Sequence, residues 1–240
     1  MRTLTHPKAK IFVVVPVYGA YDVVQMCIDH LEKNTVNSLY YVLVDDGYYD
    51  PIPFHATEKR AIIRFEAEPP EWEHKEHIVR AMDLGLDYGR RNIAFDYFVK
   101  LETDVMVQPE WDKKLLQIAN EITNQGVNWA TLEGKFVDLA LDDPPEYVAE
   151  QERIANSWEP RHYPIKYNQM NCCLFSPALM HKPWWFSMVQ THHDIGLNEM
   201  FVQMGGNMQN IETTAVWHKH YRGTSRGLMT RKNQERGFDV

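Results

Sequence analysis

The stretch IFVVVPVYG, residues 11–19, decides the fold. Residues 11–17 form an unbroken apolar run, mostly Ile and Val, and Tyr18-Gly19 closes it. A strand that is apolar on both faces belongs inside a parallel sheet with helices on either side. Residues 22–33 supply one such helix, with apolar side chains at Val23, Val24, Cys27, Ile28 and Leu31 in a single stripe. Residues 39–44 (LYYVLV) repeat the buried-strand pattern and end in Asp45-Asp46-Gly47. A short strand at 61–65, a helix at 77–90, a strand at 94–101 and a helix at 109–123 with Pro109 in its first turn continue the alternation. The expectation is an α/β fold with an open, mostly parallel sheet built from βαβ units.

The second half is less regular. Strands are expected at 127–132, 170–176 and 211–217, and a helix at 193–204 stopped by Gly205-Gly206. Residues 141–164 read as a loop with a short helix at 146–156. The reading is one domain over 1–240: a half at about 8–108, a second at about 109–221, and a polar tail at 222–240.

Composition narrows the function classes. The chain has 240 residues, a net charge of −8 and 44% apolar residues, as expected of a globular protein without general attraction to nucleic acid or anionic membrane. No apolar run reaches the roughly 18 residues a spanning helix needs. The N-terminus has no long apolar segment behind its basic residues, so no signal peptide is expected. Cys27, Cys172 and Cys173 make a poor disulfide framework, which favours a reducing, cytoplasmic setting.

The chemistry gathers where strands end. In FVKLETDVMVQPEW, residues 98–111, an apolar strand runs into Glu102-Thr103-Asp104. Two carboxylates one residue apart repel unless water or a cation stands between them. Pro16-Val17-Tyr18, Asp45-Asp46 and Glu102-Thr103-Asp104 would share one edge of the sheet, where open α/β folds bind ligands. A lone acid after a strand is otherwise an ordinary turn former or helix cap. Near the C-terminus, Trp217-His218-Lys219-His220 puts two imidazoles on one strand face, a spacing that suits a metal.

In order along the chain, PVYG, VDDG, AMDLGL (residues 81–86), ETD, PEWDKKLL, His193-Asp194 before Gly205, and WHKH together resemble the motif series of family 2-like GT-A glycosyltransferases. The resemblance spans about residues 10–222 and implies a GT-A fold and a metal-dependent transfer of sugar from a nucleotide-sugar to an acceptor hydroxyl. It implies Mg²⁺ or Mn²⁺ on the donor diphosphate, with Asp104 as direct ligand and His218 or His220 completing the shell. Glu102 would meet ribose or act through water. Asp46, with Asp45, would accept hydrogen bonds from the base, and Tyr18 and Pro16 would shape its seat. Asp194 takes the position of the acid that removes the acceptor proton, with Glu199 a weaker candidate and helix capping the ordinary alternative. UDP-sugar is the favoured donor and GDP-sugar the next.

The chain departs from the family pattern at several positions. Met82 stands where many relatives carry Arg, so that nucleotide contact is either missing or supplied by Arg80; Asp83 replaces Asn, Gly19 replaces Asn and Tyr48 replaces Ser. Arg222 and Arg226 could close over the diphosphate or be an ordinary solvated tail. Trp158 and Tyr163 are candidate acceptor contacts, while Trp184-Trp185-Phe186 and the cysteine pair read first as core. The acceptor could be a metabolite, a polysaccharide, a protein or modified DNA. Two other readings stay open: a GT-A module that binds nucleotide or glycan without turnover, and a Zn²⁺ hydrolase built on His192, His193, Asp194, His218 and His220.

Overall fold

The computed structural model describes residues 8–17, 19–45, 52–65, 74–183, 185–188, 193–204 and 208–221. The strands are β1 (Lys10–Val17), β2 (Ser38–Asp45), β3 (Arg60–Arg64), β4 (Tyr97–Leu101), β5 (Val105–Val107), β6 (Trp129–Asp138), β7 (His162–Ile165), β8 (Cys172–Phe175) and β9 (Gln209–His220). The helices are α1 (Tyr21–Asn34), α2 (His74–Asn92), α3 (Trp111–Asn124), α4 (Pro145–Asn156), α5 (Pro177–Met180) and α6 (His193–Met204), with a 3-10 turn at Phe186–Met188.

All nine strands join one open sheet in the order β3-β2-β1-β4-β8-β6-β9-β5, with β7 on the same flank of β9 as β5. Strands β3, β2, β1 and β4 are mutually parallel, as the βαβ pattern requires. The second half inserts β8 antiparallel between β4 and β6, and β6 then runs parallel to β9. Every pairing longer than four residues is parallel, so the sheet is mixed but mostly parallel.

The core has two sides because β1 alternates between them. Ile11, Val13, Val15 and Val17 pack with the stripes of α1 (Val24, Ile28, Leu31) and α3 (Trp111, Leu115, Ile122). Phe12 and Val14 face α2 through Met82 and Leu86. Helix α2 sits so close to β1 that a Cβ on Gly85 would collide with Val14, and one on Gly89 with Phe12. No helix among the described residues is long and apolar enough to cross a membrane.

Several expected boundaries move, three of them for reasons visible in the contacts. Strand β4 starts at Tyr97 rather than residue 94, because Asp96 turns back to accept the Lys10 N–H at 2.8 Å and Phe95 stacks on Phe12. Helix α3 starts at Trp111, two residues beyond Pro109, after Glu110 takes a left-handed φ of 59°. Strand β6 runs on to Asp138, six residues past its expected end, because β9 offers a partner along its whole length. Strand β5 falls where no element is expected and β7 within the expected loop up to residue 164; each takes its strand pairing from β9, not from its own periodicity.

Candidate functional site

The parallel strands end together. Val17 pairs with Asp45, and Asp45 with Arg64, so β1, β2 and β3 finish level. Counting on from the pair Val14↔Lys100 brings Glu102 level with Pro16. Asp45 and Glu102 therefore lie two strand spacings apart across the edge, about 10 Å. Pro16 is buried, and the β1–β4 register ends at Val14, two residues before a residue with no N–H to give. Gly19 follows with φ 61°. Glycine and asparagine both reach this left-handed region, so Gly in place of Asn keeps the turn.

Asp45, Glu102 and Asp104 each have a protein neighbour. Asp45 is fully buried, with the Arg64 guanidinium 3.7 Å from Oδ2. Glu102 is paired through Oε1 with Lys100, which is 1% exposed and also donates to the Met170 carbonyl at 2.7 Å. Asp104 Oδ2 lies 3.7 Å from His220 Nε2. The β5–β9 pairing makes that last contact, matching Val105 with His220, while the Tyr221 N–H donates to the Asp104 carbonyl at 3.1 Å. The two neighbouring carboxylates thus have separate partners, a lysine for Glu102 and a histidine for Asp104.

Residues that sequence reasoning missed complete this group. Asp138 Oδ1 stands 3.3 Å from His220 Nδ1, so one imidazole is addressed by a carboxylate at each nitrogen. Burial alone would lower the His220 pKa, but Asp104 and Asp138 outweigh it and raise the value. Glu133 is 2% exposed and accepts the backbone N–H groups of Gln169, Met170, Asn171 and Cys172 at 2.8–3.3 Å. Its register partner Cys173 also pairs with Lys100, so lysine and glutamate sit in one row across β4, β8 and β6. Burial pushes Glu133 up to about 7, although the backbone donors and Lys100 pull the other way. The only sequence signals for this pair are a lone Lys in FVKL and a lone Glu in TLEG.

His218 does not join Asp104. The register sets it opposite Val107, where it is fully buried with its ring against Trp111 and Phe136. Neither ring nitrogen has a hydrogen-bond partner among the described residues, and burial lowers its pKa to about 3. Such an imidazole is neutral and packed. The expected metal group of Asp104, His218 and His220 therefore reduces to Asp104 and His220. No three His, Cys, Asp or Glu side chains among the described residues are placed to hold a metal.

The remaining candidates divide. Arg80 lies over the Phe65 ring at 5.0 Å, and Met82 is fully buried in the core. Asp83 accepts the N–H groups of Phe186 and Ser187 at 2.6 and 3.1 Å, anchoring the 3-10 turn to α2. Phe186 is core, and Trp185 lies under the Arg90 guanidinium. Lys135 lies 4.9 Å from the centre of the Trp158 ring, and the Tyr163 hydroxyl is bonded to Glu212. All three cysteines are buried, which raises their pKa and keeps them as thiols. Glu199 is exposed and accepts from Tyr167 at 3.1 Å. Asp194 is the second residue of α6, but its side chain, like Tyr18, Asp46, His192, Arg222 and Arg226, lies outside the described residues.

No protein-family model matches the chain, and no curated protein matches it.

Proposed function

We propose that this chain is a metal-dependent glycosyltransferase of the GT-A kind, moving a sugar from a nucleotide-sugar to an acceptor hydroxyl. The observation that carries the reading is Asp104 beside His220 at the edge where the parallel strands end. A carboxylate and an imidazole nitrogen fit Mg²⁺ or Mn²⁺, which takes few protein ligands and keeps positions for water and phosphate oxygens. Asp138 on the far ring nitrogen is the carboxylate that orients a ligating histidine. When bound, the ion supplies positive charge against the diphosphate leaving group.

The chain's own residues do the rest. Lys100 fixes one oxygen of Glu102, leaving the other for a ribose hydroxyl. Asp46 and Tyr18 face the base, and Asp194 takes the acceptor proton; these three assignments rest on the motif series alone. A UDP-sugar is the first donor to test and a GDP-sugar the second. A binding module without turnover is the second reading, favoured by Met82, which is core where many relatives carry Arg.

A melting panel of UDP, GDP, CDP and dTDP, each with and without Mn²⁺, tests the proposal. A ligand at about 100 times its Kd adds roughly 2.7 kcal/mol, a shift of about 5–11 °C at this size. One nucleotide should stand out, only with metal, and Asp104→Ala should remove the shift. A flat panel sinks the reading. Slow hydrolysis of the matching nucleotide-sugar separates the transferase from the binding module.

A further inference from the structure

A cavity of about 450 Å³, in the size range of small-molecule sites, opens where the end of α1, the β5–α3 turn, α4 and β9 meet. Lys33, Lys114 and Lys219 line it against a single acid, Glu152, which pairs with Lys219. Lys33 and Lys114 form no ion pair among the described residues. In a chain of net charge −8 this local excess runs against the composition. Lys33 suits the last turn of α1, where the helix dipole favours a cation. Lys114 sits near the start of α3, where the dipole opposes it, and the acid it acts on there, Glu110, is already paired with Lys113 at 2.9 Å. His30, in the same wall, has its pKa lowered by burial and then by Lys219 and Lys33.

The second observation is Gln108. It lines the cavity, is 7% exposed, and its Nε2 has no hydrogen-bond partner among the described residues. Buried amide donors are normally satisfied, so an unmet one in a cavity-lining side chain can gain an acceptor by turning toward the cavity. Trp217 adds an aromatic wall.

We propose that this cavity binds the phosphate monoester of a small molecule, at a site distinct from the strand-edge acids. Three ammonium groups less one carboxylate leave two positive charges. A phosphate monoester carries about −1.5 to −2 at neutral pH and three strong acceptor oxygens, whereas a carboxylate has one charge and two oxygens. Lysine binds phosphate as a point charge without needing a fixed fork.

Calorimetry on the full chain without divalent metal, using phenyl phosphate as probe and benzoate as comparator, tests the site. Phenyl phosphate should bind, and benzoate should bind at least about tenfold more weakly. Lys114→Met with Lys219→Met should weaken phenyl phosphate by at least about tenfold, while Asp104→Ala leaves it unchanged. Gln108→Leu and the single Lys114→Met should each weaken it as well, which keeps the test decisive if the double variant does not fold. No binding, equal affinity for benzoate, indifference to the lysine variants, or loss in Asp104→Ala overturns the proposal. It stands or falls apart from the transferase reading, whose test requires metal and Asp104.

Discussion

The Asp138 carboxylate lies 3.3 Å from His220 Nδ1, at the ring nitrogen that Asp104 does not face. With Asp104 toward the other nitrogen, the two carboxylates together raise the imidazole pKa. Asp138 sits at the last position of β6 and its side chain is half exposed, so replacing it leaves the core intact.

Asp138→Ala should therefore act on His220 rather than on folding. Two readouts are expected. The His220 pKa, followed by NMR, should fall, because one of the two carboxylates that raise it is gone. Mn²⁺-dependent nucleotide binding should weaken about 10- to 100-fold, the usual effect of losing an orienting carboxylate. An unchanged His220 titration would show that Asp138 does not act on the ring.

His218 should prove dispensable for that binding. Its folded pKa is about 3, below the ordinary 6.5, so the unfolded chain takes up its proton first as pH falls. Its contribution is present above pH 6.5 and is lost on acidification towards 3. His218→Leu should remove this acid sensitivity, on the order of 3 kcal/mol by pH 4. Urea titrations at pH 7 and pH 4 measure it. If His218→Leu instead abolished metal-dependent nucleotide binding, the assignment of His220 as the ligand would be wrong.

Glu133 should have the opposite sign. Its folded pKa of about 7 lies above the ordinary 4.5, so the folded state keeps a proton that the unfolded state has released. The contribution is whole below about pH 4.5 and disappears as pH rises through 7. Glu133→Gln cannot titrate, so its stability relative to wild type should improve by a few kcal/mol between pH 4.5 and 7.5. A constant gap over that range would show that Glu133 ionises normally in the fold.

Gly89→Ala tests how closely α2 seats on β1. Alanine is the better helix former by about 1 kcal/mol, which in an open position would stabilise. Here the new methyl group meets the Phe12 ring, itself fully buried. Overpacking should dominate and destabilise by about 1–3 kcal/mol in chemical denaturation. A gain in stability would mean that the helix can shift outward freely.

The alternation of buried strands and striped helices was legible through α3, because the two periods are local. Gathering the strand-end acids on one edge followed from that parallel order. The long-range pairings could not be read. Strand β9 inserts Thr214, Ala215 and Val216 between the partners of Gly134 and Lys135, a bulge of three residues. An odd insertion switches the faces to which the following side chains point. It therefore decides which side of the sheet His218 and His220 occupy, and nothing in WHKH announces it. The Thr214 backbone and hydroxyl are held by residues 159–161. Gly134 is needed there, since a Cβ would lie 2.9 Å from His218 Nε2 and 3.0 Å from the Val216 carbonyl. Lys100 and Glu133 were invisible for a related reason: each looks like a flaw in an apolar strand until β8 sets them in one row.

Strand β5 packs on α1, where the Asn34 side-chain amide donates to the Val107 carbonyl at 2.7 Å, but its strand pairing waits for Gln209–His220. During synthesis, Asp104 leaves the ribosome long before the imidazole that completes its pair. On the transferase reading proposed above, ion capture at this edge would be a late event in maturation, and a chain cut short before β9 would bury much of the first half's core yet lack His220.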